Sequence, residues 1–321
     1  MATRSEGWRS RVLEYLICAG VVVGACILFV FPRRLVWQIG RACGWIGYYL
    51  HPEGRRIAEA NLKIAFGETL SASERKRIAR RSLQNFVATV VTLFWSPRIS
   101  AGNLSRYADL DPASFARFGE LAAAGQGMIC LSLHYGDWEM LGLSMPLLGV
   151  PLTLAVQETG IPCLDRLLAW FRSRTGNQIV TAGHGGLARL YHAIRARGFP
   201  TVVNDLNARP DSGVWVDFFG LPALNHATPA TLAIHSGAPI IYGVARPDGS
   251  GHVLIEWMEL PYSLSGDRER DLVSITEACA QLCERVIKAR PELWHWTYKR
   301  WKRRPTEEQG AYPFYSKYKP R

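Results

Sequence analysis

His134 and Glu139, five positions apart in Leu133-His134-Tyr135-Gly136-Asp137-Trp138-Glu139, are the residues of this chain whose types and spacing point most directly to chemistry. A histidine bonded through one ring nitrogen to a carboxylate holds a fixed tautomer, which leaves the other nitrogen as a base. The turn that Gly136 permits can fold His134 back over Glu139, so that the carboxylate accepts from the ring. The reaction this suits is deprotonation of a hydroxyl that attacks an activated carbonyl, a general-base step typically worth about 10²–10⁴ in rate. Direct transfer needs no enzyme nucleophile, and none stands beside His134. Ser132 shares the strand face of His134 but lacks a G-x-S-x-G elbow and reads as a small packing residue. Two plainer readings stand beside this one: a histidine after a strand is often a satisfied structural residue, and Asp137 competes for the ring, although capping a helix suits it better.

The elements that must hold these residues follow from the pattern around them. Met128 to Leu133 is a short apolar run after glycines, as in a buried strand, and Asp137 to Leu148 reads as a helix with Asp137 at its N-cap. Further along, the helix Leu187 to Arg197 precedes a strand Pro200 to Asn204, the helix Thr228 to Ser236 precedes a strand Pro239 to Ala245, and Asp248-Gly-Ser-Gly251 turns into a strand His252 to Leu260. A last helix covers Leu272 to Ala289. Upstream, Ser71 and Glu74 form a capping pair for a charged helix to Leu93, stopped by Pro97, and Asn61, Leu62, Ile64 and Phe66 lie on a shorter helix before it. Strands alternating with helices predict an α/β fold whose sheet is covered on both faces, with ligands at the carboxyl ends of the strands.

The wording HYGDWE resembles the HFGNWE-type form of the His-x4-Asp/Glu motif in the lipid A biosynthesis (lauroyl/myristoyl) acyltransferases, a branch of the glycerolipid acyltransferases. The resemblance extends over nearly the whole chain. It includes the Asn61-Leu62 region, Phe171-Arg172-Ser173, Val203-Asn-Asp205 with Val216-Asp-Phe-Phe-Gly220, Ser236-Gly-Ala-Pro-Ile240, and Arg290-Pro-Glu292 through Trp296 to Arg304-Pro305. It implies a glycerolipid-acyltransferase-like sheet with flanking helices, His134 as base and Glu139 as its orienting carboxylate. Arg172 is then the contact to a substrate phosphate or polar head, a task suited to the planar guanidinium fork, with Arg174 and Asp205 as further substrate-binding candidates. Arg172 and Arg174 read equally as a solvated helix end, and Asp205 as a loop cap or as a neighbour of the dyad if its strand adjoins that of His134. The chain departs from the family at Leu206, where a Gln or His is common, and at Tyr298, where the family often has His. The resemblance further implies acyl-ACP or acyl-CoA as co-substrate, a lipid acceptor, no metal or tightly held cofactor, and a catalytic domain on the cytoplasmic face of a bacterial inner membrane.

Composition narrows the remaining choices. Nearly half of the 321 residues are hydrophobic, which excludes a disordered or fibrous chain, and the net charge of +11 suits anionic lipid, an acidic carrier protein or nucleic acid without selecting among them. Residues Tyr15 to Phe31 carry no charge and are flanked by Arg9, Arg11, Arg33 and Arg34. A bilayer-spanning helix needs roughly 20 apolar residues, so the stretch predicts one N-terminal transmembrane helix. The expected organisation is an anchor at 1–34, an acyltransferase domain at 35–305 and a tail at 306–321. Seven scattered cysteines without a C-x-x-C pair predict reduced thiols, with Cys279 and Cys283 packed in a core. The run Lys299-Arg-Trp-Lys-Arg-Arg304 offers a basic aromatic patch, suited to a membrane surface or carrier protein, while Trp294, Trp296 and Trp301 read as buried packing. No nucleic-acid partner is expected. Two other functions fit the same residues: a hydrolase that activates water with the dyad, and a non-catalytic basic protein that binds membrane or nucleic acid.

Overall fold

Residue types set the elements, and the apolar strands set the order in which they assemble. The computed structural model describes residues 4–181, 183, 185–210 and 212–318, with side chains from Glu14 onward. Four helices come first: α1 (Arg4–Phe29), α2 (Arg33–Leu50), α3 (Pro52–Phe66) and α4 (Ala72–Trp95). The capping box expected at Ser71 and Glu74 is formed at the start of α4. The α/β portion then runs β1 (Ala108–Leu110), α5 (Pro112–Ala123), β2 (Ile129–Ser132), α6 (Trp138–Leu147), β3 (Leu152–Val156), α7 (Pro162–Ser173), β4 (Gln178–Thr181), α8 (Gly186–Arg195) and β5 (Phe199–Val203). A hairpin, β6 (Gly213–Phe218) with β7 (Leu221–His226), leads into α9 (Thr228–Ser236), β8 (Ile240–Pro247), β9 (Val253–Leu260) and α10 (Arg268–Ala289).

Seven of these strands form one sheet in the order β1-β9-β8-β2-β5-β3-β4. Every neighbouring pair is parallel except β8 with β9. All four residues of the central β2 are buried, as a strand covered on both faces requires. Its side chains alternate between two cores. Ile129 and Leu131 pack with α8, α9 and α10, while Cys130 packs with α5 and α6. The expected α/β sheet with flanking helices is therefore present.

The N-terminal transmembrane helix finds no such support. Among the described residues no helix is long and apolar enough to cross a membrane. Helix α1 ends at Phe29, two residues before the end of the apolar run that predicted a span, and that end is tied to the domain: the carbonyl of Phe31 accepts from the indole of Trp95 at 2.8 Å and from Arg98 at 3.0 Å. Within the segment expected as an anchor, Ala25, Leu28 and Phe31 pack against the rest of the fold. Arg33, expected to reach a membrane interface, is only 5% exposed and donates to the carboxylate of Asp137 at 2.6 Å. The side chains of Arg9 and Arg11 lie outside those described. A second correction concerns the thiols: Cys18 of α1 and Cys163 of α7 form a disulfide, whereas Cys130, Cys279 and Cys283 are buried free thiols.

The Arg33–Asp137 pair joins α2 to the N-terminus of α6, where Asp137 also caps the helix by accepting from the Met140 amide at 3.0 Å. Burial weighs against both charges, lowering the pKa of Arg33 and raising that of Asp137, and their mutual attraction offsets part of this. Removing one partner leaves the other buried and unpaired, a loss of about 3–5 kcal/mol. Arg33→Ala is therefore expected to lower folding stability by that amount in denaturant unfolding; a midpoint equal to wild type would show that the pair is not closed in solution.

Candidate active site

The site begins with strand register. β2 and β5 are adjacent and parallel, with Ser132 paired to Val203, and the ladder continues one step as the Asn204 amide donates to the Ser132 carbonyl at 2.9 Å. Two residues beyond that pair in each strand stand His134 and Asp205. They meet: Nδ1 of His134 lies 2.9 Å from Asp205 Oδ1, and the His134 backbone amide donates to Asp205 Oδ2 at 3.0 Å. The indole of Trp294 is a third donor, to Oδ2 at 2.7 Å. Nε2 of His134 has no hydrogen-bond partner among the described residues, and 23% of the side chain is accessible.

The turn after β2 aims the ring. Gly136 has φ of 59°, and a Cβ there would stand 2.0 Å from the carbonyl oxygen of Ala245, so only glycine fits. That carbonyl accepts from the Asp137 amide at 2.9 Å, and the Gly136 amide donates to Leu293 at 2.9 Å. From α4, Thr89 donates to the Gly136 carbonyl at 2.9 Å. Ser132 is buried with its hydroxyl on the carbonyl of Gly243 at 2.9 Å, which leaves it a packing residue.

Glu139 does not orient His134, contrary to the expectation. Its carboxylate is held by Arg172, with Nε at 3.0 and 3.2 Å and Nη2 at 2.6 Å, and by the Trp138 indole at 3.2 Å. The first turn of α6 directs Glu139 toward α7, whereas the carboxylate that reaches Nδ1 comes from the neighbouring strand. Nη1 of Arg172 has no partner among the described residues. Arg174 is committed elsewhere, donating to the carbonyls of Ser96 and Pro97 at 2.9 and 2.8 Å, so its placement is structural. Asn177, which the sequence did not single out, fixes the far end of α7 by donating to the Gly142 and Arg172 carbonyls at 2.8 and 3.0 Å.

Charges around the imidazole compete. Burial disfavours the protonated ring, but the charge and hydrogen bond of Asp205, helped by Glu139, outweigh it against the opposition of Arg172, and the pKa of His134 is raised. Asp205 shows the converse: burial pushes its carboxyl up, while His134 and the Trp294 indole bring it below the usual carboxylate value. A row of rings flanks the site. Trp138 lies edge-on to His134 at 5.3 Å, Phe86 packs on Trp138 at 5.3 Å, and His295 stacks on Phe86 at 3.8 Å. Burial and the neighbouring His134 lower the His295 pKa to about 3, so this second histidine is neutral.

Arg172 also borders a cleft of about 410 Å³ past the ends of β3 and β4, lined by Gln157, Glu158, Arg166, Leu168 and Thr181 among others. The C-terminal basic run, by contrast, is largely consumed by the fold. Arg300 is 1% exposed and bonded to Asn207 and Asn225, Arg303 donates to Ala208, Arg304 to Ser316, and Lys299 pairs with Glu53. Tyr298, the departure from the family's histidine, accepts from the Asn207 amide at 3.1 Å. Trp294, Trp296 and Trp301 are buried, as expected.

Known proteins resemble this chain over most of its length. Residues 4–303 match the family described as bacterial lipid A biosynthesis acyltransferase. The lipid A biosynthesis lauroyltransferase of Escherichia coli K12 is 24% identical over 295 residues, 88% of this chain and 90% of that protein. The phosphatidylinositol mannoside acyltransferase of Mycobacterium tuberculosis H37Rv is 26% identical over 223 residues, 68% of this chain and 69% of its own. The lipid A biosynthesis acyltransferase of Haemophilus influenzae Rd is 22% identical over 317 residues, covering 92% of each.

Asp205→Asn removes the largest influence that raises the imidazole pKa and leaves the burial that lowers it. The His134 pKa, followed by NMR, is expected to fall in this variant and to move less in Glu139→Gln. A larger shift in Glu139→Gln would reverse the assignment of partners.

Proposed function

Because the chain belongs to the bacterial lipid A biosynthesis acyltransferase family and is an acyltransferase, we propose that it moves a fatty acyl chain from an acyl-ACP or acyl-CoA thioester to a hydroxyl of a lipid A precursor or related glycolipid, with His134 as general base. The observation that carries this reading is the pairing of His134 Nδ1 with the buried Asp205 while Nε2 is unpartnered. With Nδ1–H donated to the carboxylate, the lone pair of Nε2 is available to a substrate. The acceptor oxygen attacks the thioester carbonyl carbon as Nε2 takes its proton. The tetrahedral intermediate then expels the thiolate, the C–S bond breaks, and the imidazolium returns the proton to sulfur. Ester and free thiol result, and no covalent enzyme intermediate is formed.

Asp205 orients the base and stabilises the imidazolium, a part the sequence reading had given to Glu139. Glu139 instead holds Arg172, whose free Nη1 and position on the cleft suit a phosphate or polar headgroup. The cleft joins Gln157, Arg166, Arg172 and Thr181 to the apolar Val156, Leu168 and Ile179, which suits a lipid with a polar head. A relative named for phosphatidylinositol mannosides adds to that support.

A lipid acceptor requires access to a membrane surface, and the helices α1 and α2 offer it. Leu16, Val23, Val30, Trp45, Ile46 and Leu50 are all at least 45% exposed, an apolar extent unusual for a surface facing water. Contact in the plane of the bilayer, with the chain's net positive charge drawn to anionic headgroups, accounts for it without a spanning helix. Trp45→Glu combined with Leu50→Glu is expected to reduce cosedimentation with anionic vesicles; undiminished binding would remove α2 from the membrane face.

The decisive experiment compares lipid mass spectra from cells lacking the protein and complemented with wild type or His134→Ala. One acyl mass should disappear from a single lipid class and return only with wild type, while an unchanged profile in all three expressing strains would refute the transferase reading. In vitro, His134→Ala should lower turnover by about 10²–10⁴. The base must be neutral and its pKa is raised, so activity should climb with pH through a midpoint above the ordinary histidine value. A midpoint at or below that value would exclude His134 as the titrating group.

A further inference from the structure

Asp205 Oδ2 receives two hydrogen bonds, one from the His134 backbone amide at 3.0 Å and one from the Trp294 indole at 2.7 Å. Oδ1 is thereby turned toward His134 Nδ1, 2.9 Å away. Nothing else donates to this carboxylate among the described residues. An indole N–H is a donor only, so it can meet Asp205 in just one way, with the carboxylate as acceptor.

Trp294 is itself held on several sides. Its main chain bridges to Tyr135, the residue after His134. Its carbonyl accepts from the Ser82 hydroxyl of α4. Its ring is 1% exposed and lies edge-on to Trp296 at 4.6 Å and to Phe218 at 5.9 Å. Leu293, one residue earlier, accepts from Gly136. Two consecutive residues beyond the last long helix thus grip both the loop that carries His134 and the carboxylate that orients it.

We propose that Trp294 is a positioning residue for the general base: its indole N–H locks Asp205 in the orientation that accepts from His134 Nδ1 and so keeps Nε2 directed at the acceptor hydroxyl. The proposal rests on His134 being the base. The charged and titratable groups facing His134 are Asp205, Glu139, Arg172 and His295, and those facing Asp205 further include His226, Arg300 and Cys283. None of these last three donates to Asp205. Without the indole, Oδ2 retains a single donor, the carboxylate is free to rotate, and its bond to Nδ1 weakens.

Trp294→Phe in the full chain keeps an aromatic ring and deletes the donor. Replacement of Trp294 by benzothienylalanine, which has sulfur in place of the N–H, keeps the bicyclic shape and serves if the phenylalanine variant does not fold. For whichever variant melts as a folded protein, two quantities are measured: the His134 pKa by NMR, and kcat and KM for acyl transfer across pH. The His134 pKa should fall. Turnover should drop about ten- to a hundredfold, the kinetic equivalent of one hydrogen bond to a charged group, with KM little changed and the acidic limb moved to lower pH. An unchanged His134 pKa together with unchanged kcat would overturn the proposal and leave Trp294 as packing. The pKa readout does not depend on catalysis. A His134→Ala variant with full activity would therefore refute the base itself, and would do so separately from the result at Trp294.

Discussion

A carboxylate buried in the centre of a protein must be surrounded by donors, and the arrangement of this molecule around Asp205 follows from that requirement. Asp205 is 2% exposed, and an unpaired charge there would be strongly destabilising. Its three donors come from two separate parts of the chain: the imidazole and amide of His134 past β2, and the indole of Trp294 beyond α10. Their convergence requires β2 and β5 to be neighbours in parallel register and requires the C-terminal segment to close over the strand ends. The sheet order and the burial of the tryptophan cluster therefore serve the same end as the site chemistry.

A second layer of charge surrounds the first. The N-terminus of α6 carries Asp137 and Glu139 two residues apart, each claimed by an arginine from a different helix, Arg33 and Arg172. Carboxylates are favoured at a helix N-terminus, but these two repel one another, and the arginines offset both charges. The helix that follows the His134 turn is thereby fastened to α2 on one side and to α7 on the other. A small pocket of about 10 Å³ lined by Arg33, Ser96, Asp137 and Glu139 marks where these pairs meet, and the buried Ser96 hydroxyl beside it has no partner among the described residues. That is close to the space one water molecule needs.

Much of the fold was legible because local chemistry and tertiary packing agreed. The helix Thr228 to Ser236 has the predicted bounds, since Gly237 ends it at φ of 66°. β2, the capping box at Ser71 and the helix capped by Asp137 were equally plain. The strands β1, β3 and β4 were not, because they lie at or next to the sheet edges and mix exposed with buried residues, which blurs the apolar runs that mark central strands. The surroundings of α1 were hidden for a related reason. Composition does not show that Arg33, just past the apolar run, is buried, because its partner Asp137 stands 104 positions away.

The same limit explains the dyad. The motif places His134 and Glu139 near each other, and both influence the imidazole, but spacing along the chain does not decide which carboxylate bonds to the ring. Glu139 is carried in the first turn of α6 and bonds to Arg172 of α7, whereas Asp205 follows a strand hydrogen-bonded to the strand of His134. The two are aligned by main-chain pairing, which is stiffer than a turn of five residues. A hydrogen bond that must hold a tautomer through a catalytic cycle is better placed across a strand ladder than across a loop. The nearer carboxylate in sequence is left for a task that tolerates movement, holding an arginine at the edge of a cleft. The order of residues in the motif thus brings Glu139 close to His134 without making it the partner of the ring, because register in this sheet acts between strands and sequence spacing acts along one.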